Sequence, residues 1–122
     1  MADGNACSGQ DEVIQSLWEG YGAAIRTTAP DGRRCVVKRI DPPAGLSGVA
    51  HRRRLCSYAV EAAFYASPLP SLLIEHGVAV ALPAPSCPPP SVTSIALTDL
   101  TETFPVQRPK QGMTDGELRA AL

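Results

Sequence analysis

Ala23-Ala24-Ile25-Arg26-Thr27-Thr28-Ala29-Pro30-Asp31-Gly32-Arg33-Arg34-Cys35-Val36-Val37-Lys38-Arg39-Ile40 is the stretch on which the fold turns. Its centre, Pro30-Asp31-Gly32, is a strong turn signal, because proline presets one backbone dihedral and glycine accepts positive φ. After the turn, Cys35 to Ile40 has β-branched residues at three of six positions, a composition suited to a pleated, half-buried surface. Before it, Ala23 to Thr28 carries Ile25, Thr27 and Thr28, a weaker strand signal. Two such runs joined by this turn predict an antiparallel hairpin. Asp41-Pro42-Pro43 ends it, since proline has no N–H to give to a ladder.

Upstream, Val13 to Trp18 is apolar-rich and suits a further strand, broken from the hairpin by Glu19-Gly20-Tyr21-Gly22. Met1 to Gln10 is small and polar and reads as a mobile tail; the domain is expected to open at Val13, with residues 1–12 outside it. Downstream, Ala44 to Ala50 is a loop of small residues, and from His51 to Ala66 the pattern turns helical. Leu55, Tyr58, Ala62 and Tyr65 recur at i, i+3, i+7 and i+10, which is one helix face, with Val60 and Phe64 widening it. Ser67-Pro68-Leu69-Pro70 is read as the stop. Val78 to Leu82 is expected to be a strand, Pro83 to Pro90 an extended proline-rich connection, and Ser91 to Leu100 another strand. Thr114-Asp115-Gly116-Glu117 resembles a capping box, in which the threonine hydroxyl and the glutamate each satisfy an orphan N–H, so a new helix is predicted there. The fold class that follows is α+β: an antiparallel sheet of about five strands with one long helix packed on it.

The chain has 122 residues and 44% hydrophobic content, enough for one folded domain. A net charge of −1 gives no global attraction to nucleic acid or to a membrane surface. No run approaches the ~20 apolar residues that span a bilayer, and the acidic N-terminus is not laid out as a secretory signal. The expectation is a cytoplasmic protein without nucleic-acid or membrane partners. Cys7, Cys35, Cys56 and Cys87 are far apart and have no zinc-type spacing, so they read as thiols. His51-Arg52-Arg53-Arg54 has cations at a helix N-terminus, where they oppose the helix dipole. Without interleaved aromatics the run is a poor nucleic-acid signal, and it reads as a solvated helix end.

Three features fall in the order that nucleotide binding requires. Gly20-Tyr21-Gly22 lies between strands, where glycine allows backbone to approach a phosphate and N–H groups to donate to it. A third glycine of a G-x-G-x-x-G loop is missing, with Ile25 in its place. Lys38 sits on a strand among aliphatics, and Glu61 sits mid-helix beside the apolar stripe. A strand lysine fixed by a helix glutamate is the phosphate-positioning device of kinases; the alternative is a solvated lysine and a solvated glutamate.

The segments Leu17-Trp18-Glu19-Gly20-Tyr21-Gly22, Val36-Val37-Lys38-Arg39-Ile40-Asp41-Pro42-Pro43, His51 to Tyr65 and Ile95-Ala96-Leu97-Thr98-Asp99-Leu100 resemble, in order and spacing, a known kinase group. It is the N-terminal lobe of the choline-kinase-like and aminoglycoside-phosphotransferase-like superfamily, closest to its CHK-like or ecdysteroid-kinase-like branch. The basic run into Ser-Tyr-x-Val-Glu-x-x-Phe-Tyr is the most specific part. The resemblance implies that Gly20 and Gly22 cover the ATP phosphates, that Lys38 contacts the α- and β-phosphates with Glu61 holding it, and that Leu97, Thr98, Asp99 and Leu100 form the hinge against adenine. It implies transfer of the ATP γ-phosphate to a hydroxyl of a small molecule. The family's His-Gly-Asp-x-x-x-x-Asn loop and metal-binding aspartate have no match here. His76-Gly77 is followed by Val78, and beyond Leu100 the acids are Glu102, Asp115 and Glu117. The expectation is an ATP-binding lobe at 13–100, followed at 101–122 by the hinge end and the first turns of a truncated second lobe. No catalytic or metal-ligating residue is expected in this chain, and Mg²⁺ and an acceptor belong to a full-length form. A non-catalytic scaffold derived from such a lobe is the other reading.

Overall fold

The computed structural model describes residues 11–17, 20–101, 103 and 104. The tail Met1 to Gln10, Trp18, Glu19 and the capping box at Thr114 to Glu117 lie outside the described residues. The elements are β1 (Glu12–Ser16), β2 (Gly22–Thr28), β3 (Arg34–Ile40), α1 (Val49–Ala66), α2 (Leu69–Glu75) and β4 (Ser94–Thr98). The strands form one four-stranded antiparallel sheet in the order β1-β2-β3-β4. The class is therefore α+β.

The central hairpin forms as the sequence predicts. β2 and β3 pair from Gly22 opposite Ile40 to Thr28 opposite Arg34. At the turn, the Gly32 N–H donates to the Ala29 carbonyl at 2.9 Å, and Asp31 Oδ1 accepts from the Arg33 N–H at 3.0 Å. Gly32 has φ +86°, the left-handed geometry that costs glycine least. β1 is an exposed edge strand whose register shifts between Val13 and Gln15, leaving Ile14 as a bulge. It begins at Glu12, inside the segment assigned to the tail.

Register sorts the side chains onto two faces, because successive strand residues point to opposite sides. Ala24, Lys38 and Ile95 make one row, and Arg26, Val36 and Leu97 the next row on the same face. α1 lies on this face. Its core holds Leu17, Tyr21, Ile40, Ala62 and Ile95, with Tyr58, Tyr65 and Leu97 against them. Tyr58, Ala62 and Tyr65 of the predicted stripe thus face inward, whereas Leu55, its first member, is 37% exposed and takes no part in this core. Val60 is not part of it: it is 63% exposed. The opposite face carries Cys35 and Ala96, which pack with Ala29 and Ala84 and are flanked by Val37 and Cys87. The proline-rich stretch is therefore not a passive connection, since Ala84 and Cys87 close this second small core.

The strand predicted at Val78 to Leu82 is absent among the described residues. Only a single bridge, Pro83 to Leu97, forms on the outer edge of β4, supported by Ala84 N–H to Ala96 O at 2.9 Å and Thr98 N–H to Leu82 O at 2.8 Å. Proline cannot extend a ladder in which its own N–H is needed, so pairing stops after one bridge. The stop read at Ser67 to Pro70 is instead a corner into a second helix. The Ser67 hydroxyl donates to the Phe64 carbonyl at 2.6 Å and accepts from the Leu69 N–H at 3.2 Å, so one side chain ends α1 and starts α2. Pro70 sits in the first turn of α2, where a missing N–H has no intrahelical partner to lose. α2 ends at Glu75 and is closed by Gly77, φ +81°, with Val78 N–H reaching Leu73 O at 2.8 Å and Gly77 N–H reaching Ile74 O at 3.0 Å. That is a Schellman motif, in which a left-handed glycine lets two chain-end carbonyls be capped. Among the described residues no helix is long and apolar enough to cross a membrane.

Candidate functional site

The site is built around Lys38. It occupies the middle of β3 between Ala24 on β2 and Ile95 on β4. These small and aliphatic neighbours leave its chain extended toward α1. There the ammonium Nζ donates to both carboxylate oxygens of Glu61, at 2.6 and 2.8 Å. The structure thus joins the strand lysine and the helix glutamate named from the sequence, 23 residues apart. Their side chains are 28% and 29% exposed, so the pair is sheltered yet reachable. Nζ also lies 5.8 Å from the centroid of the Tyr58 ring. Burial first, then the Glu61 charge, raises the Tyr58 hydroxyl above its ordinary 10.0, so it is a neutral donor at physiological pH.

Lys38 opens into a cleft of about 530 Å³ lined by Gln15, Leu17, Ala24, Arg54, Ser57 and Tyr58 as well. A second hollow, about 320 Å³, lies along the next row of the same face, with Val36, Leu97, Leu100 and Phe104 among its apolar lining and Arg26 and Asp99 at its polar side. A different cavity, about 440 Å³, sits by the β2–β3 turn around Asp31, Arg34 and Pro85; its lining includes neither Lys38 nor Glu61.

The glycine turn divides into two cases. Gly20 has φ +78°, and an added Cβ would meet only Pro43 at 3.9 Å, so its glycine character answers to backbone conformation alone. Gly22 has φ +137°, and a Cβ there would stand 1.9 Å from the Arg39 carbonyl oxygen. Close approach of β2 to β3 therefore already demands glycine at position 22. Tyr21, between them, points inward. It is fully buried, its hydroxyl is 2.5 Å from His51 Nδ1, and its ring packs 6.2 Å from Tyr58.

Leu97, Thr98, Asp99 and Leu100 run from β4 into the following turn, beside the second hollow. Thr98 is committed to Leu82 twice, through its main-chain N–H at 2.8 Å and its hydroxyl at 3.1 Å. Asp99 anchors a cluster that the sequence alone does not reveal. Arg26 Nε donates to Asp99 Oδ2 at 3.0 Å, its Nη1 to Glu12 Oε1 at 2.5 Å, and its Nη2 to the Thr101 hydroxyl at 3.1 Å. Asp99 Oδ1 accepts from the Thr101 N–H and hydroxyl at 2.9 and 2.5 Å. One guanidinium thus ties the edge strand to the segment after β4. The available signal is the alternation of β2, which puts Arg26 on the Lys38 face. Tyr21 carries no such signal beyond its place in the glycine turn.

Burial would raise the Asp99 carboxyl, but the Thr101 hydrogen bonds and then Arg26 outweigh it and hold it below 3.8. The stabilisation is therefore present above the unfolded-state value and is lost as pH falls through the lower folded value. The Asp99 side chain is only 9% exposed, so Arg26→Met is expected to cost about 2 kcal/mol at pH 7 by leaving a sheltered carboxylate without its cation. Urea titrations should show the two proteins differing at neutral pH and converging in acid, once the carboxyl is protonated in both. An equal difference under both conditions would remove the charge pair as the cause.

Among the described residues no group of three or more His, Cys, Asp or Glu side chains could hold a metal ion. No family model, curated protein or solved structure matches the chain.

Proposed function

We propose that this chain is the ATP-binding lobe of a kinase acting on a hydroxyl of a small metabolite. The observation that carries the reading is the two-pronged contact of Glu61 with Lys38, a lysine that itself lines an open cleft. A lysine held in this way presents a fixed positive charge to the α- and β-phosphates, the positioning that phosphoryl transfer depends on. Further support comes from the hollow one row away on the same face, roughly 7 Å along the strand. Its aliphatic walls Val36 and Leu97 and the adjoining Asp99 and Leu100 suit a base, while Gly20 and its neighbours would lie over the phosphates. The proposal gives this chain nucleotide binding and no step of transfer, because the loop and aspartate that would supply the base and hold Mg²⁺ have no match in its sequence.

The test is a calorimetric series with adenosine, AMP, ADP and ATP on the 122-residue chain. Affinity should climb with each phosphate and be weakest for adenosine. Equal affinity across the series, or no binding, would count against the reading. A second reading, a scaffold without catalysis, is favoured by one observation: Ile74, Val78, Leu100 and Phe104 line an apolar groove of about 340 Å³ beside α2. On that reading the protein is indifferent to ATP.

A further inference from the structure

We infer that Arg54 is a second phosphate-binding residue of the Lys38 cleft, an assignment that rests on the nucleotide reading above. The run Arg52-Arg53-Arg54 is not uniform in the fold. Arg52 and Arg53 are exposed, whereas Arg54 is half-buried and lines the cleft together with Lys38. These are the charged side chains of the cleft lining, and both are cations. They arrive from different directions, Lys38 from the sheet and Arg54 from the helix.

The helix spacing accounts for this. Arg54, Ser57, Tyr58 and Glu61 fall at i, i+3, i+4 and i+7 of α1, which is one face. That face brings a guanidinium and two hydroxyls to one side of a single cavity, with the carboxylate that holds Lys38 one turn further along the helix. Each cation also rests on an aromatic ring. The Arg54 Cζ is 5.3 Å from the Tyr21 centroid, Lys38 Nζ is 5.8 Å from the Tyr58 centroid, and the rings are 6.2 Å apart. Tyr21 is a rigid platform, fully buried and bound through its hydroxyl to His51 and through its carbonyl to the Asp41 N–H at 2.7 Å. The five donors of a guanidinium allow one edge to be engaged elsewhere while another meets an oxyanion. The ligand class is a polyphosphate chain, carried by a nucleotide or free.

Calorimetry with ATP and with sodium tripolyphosphate tests the assignment on the folded chain, with far-UV circular dichroism as the control for structure. Arg54→Gln is expected to weaken both ligands about tenfold, the value of one lost charge-assisted contact. Arg53→Gln removes the same charge from an exposed neighbour and should change either affinity less than about twofold. Arg54→Met, which keeps an aliphatic cover on Tyr21, takes the place of Arg54→Gln if that variant unfolds, with the same readings. Wild-type affinity in the Arg54 variants alongside a loss in Lys38→Met would overturn the Arg54 assignment and leave the nucleotide reading standing. Failure of both ligands to bind the wild-type chain would overturn both. A tripolyphosphate loss confined to the Arg54 variants would keep the anion site and remove Lys38 from it.

Discussion

Gly22→Ala is expected to destabilise the protein by about 3 kcal/mol or more, whereas Gly20→Ala is expected to cost about 1 kcal/mol. Both glycines have positive φ, but they face different surroundings. At Gly20 the penalty is that of a left-handed alanine, with ordinary contact to Pro43. At Gly22 the new methyl would sit 1.9 Å from the Arg39 carbonyl oxygen and 2.9 Å from its carbon. Those are main-chain atoms of β3, so no rotamer change relieves the overlap. Relief requires β2 and β3 to separate where Gly22 faces Ile40. That end of the sheet also carries the Asp41 N–H bond to Tyr21 O and the Leu17 N–H bond to Gly22 O, at 2.7 and 2.9 Å. Opening it would loosen the buried Tyr21. Urea denaturation followed by far-UV circular dichroism measures both variants. A Gly22→Ala variant within about 1 kcal/mol of wild type would mean that the strands part there at little cost. Because the expected loss is structural, Gly22 variants are unsuited to testing phosphate contact; Gly20 variants suit that purpose.

The legible parts of this fold are those where local chemistry and tertiary demand agree. Pro30-Asp31-Gly32 between two strand-forming runs fixes the hairpin, and the spacing of Tyr58, Ala62 and Tyr65 identifies the inward face of α1. Misreadings occur where proline has two meanings. Pro70 reads as a breaker, although in the first turn of a helix it loses nothing, and Gly77 seven residues on is the matching left-handed cap. Pro83 adjoins a run that looks like a strand, yet pairing with β4 is limited to its one bridge. In the site, Lys38 and Glu61 are legible because strand and helix periodicities each aim a charge at the same face. Arg26 is not, since its partners Glu12, Asp99 and Thr101 come from separate stretches that only the sheet register assembles. Arg54 reads as part of a solvated run, and its seat on Tyr21 is what separates it from Arg52 and Arg53.

Lys38→Met should weaken ATP about 30-fold, the value of the charge-assisted phosphate contacts it would remove. Glu61→Gln should weaken ATP about fivefold, because Glu61 acts through Lys38: the amide would keep the shape and one acceptor while losing the charge that orients Nζ. The double variant is then expected to resemble Lys38→Met alone, since a positioning group has nothing to act on once the lysine is gone. Stability provides the contrasting readout. Both side chains are more than a quarter exposed, so their ion pair contributes at most about 1 kcal/mol to folding, and both single variants should unfold within that margin of wild type. A purely structural pair would produce the opposite pattern, a stability change with ATP affinity unmoved. Additive losses in the double variant would mean that Glu61 meets the ligand by a route of its own, for example through Tyr58, whose ring lies beneath Nζ and whose hydroxyl feels the Glu61 charge. The non-additive result ties the affinity to the 2.6 and 2.8 Å contacts themselves, which is what a phosphate-positioning lysine requires of its carboxylate.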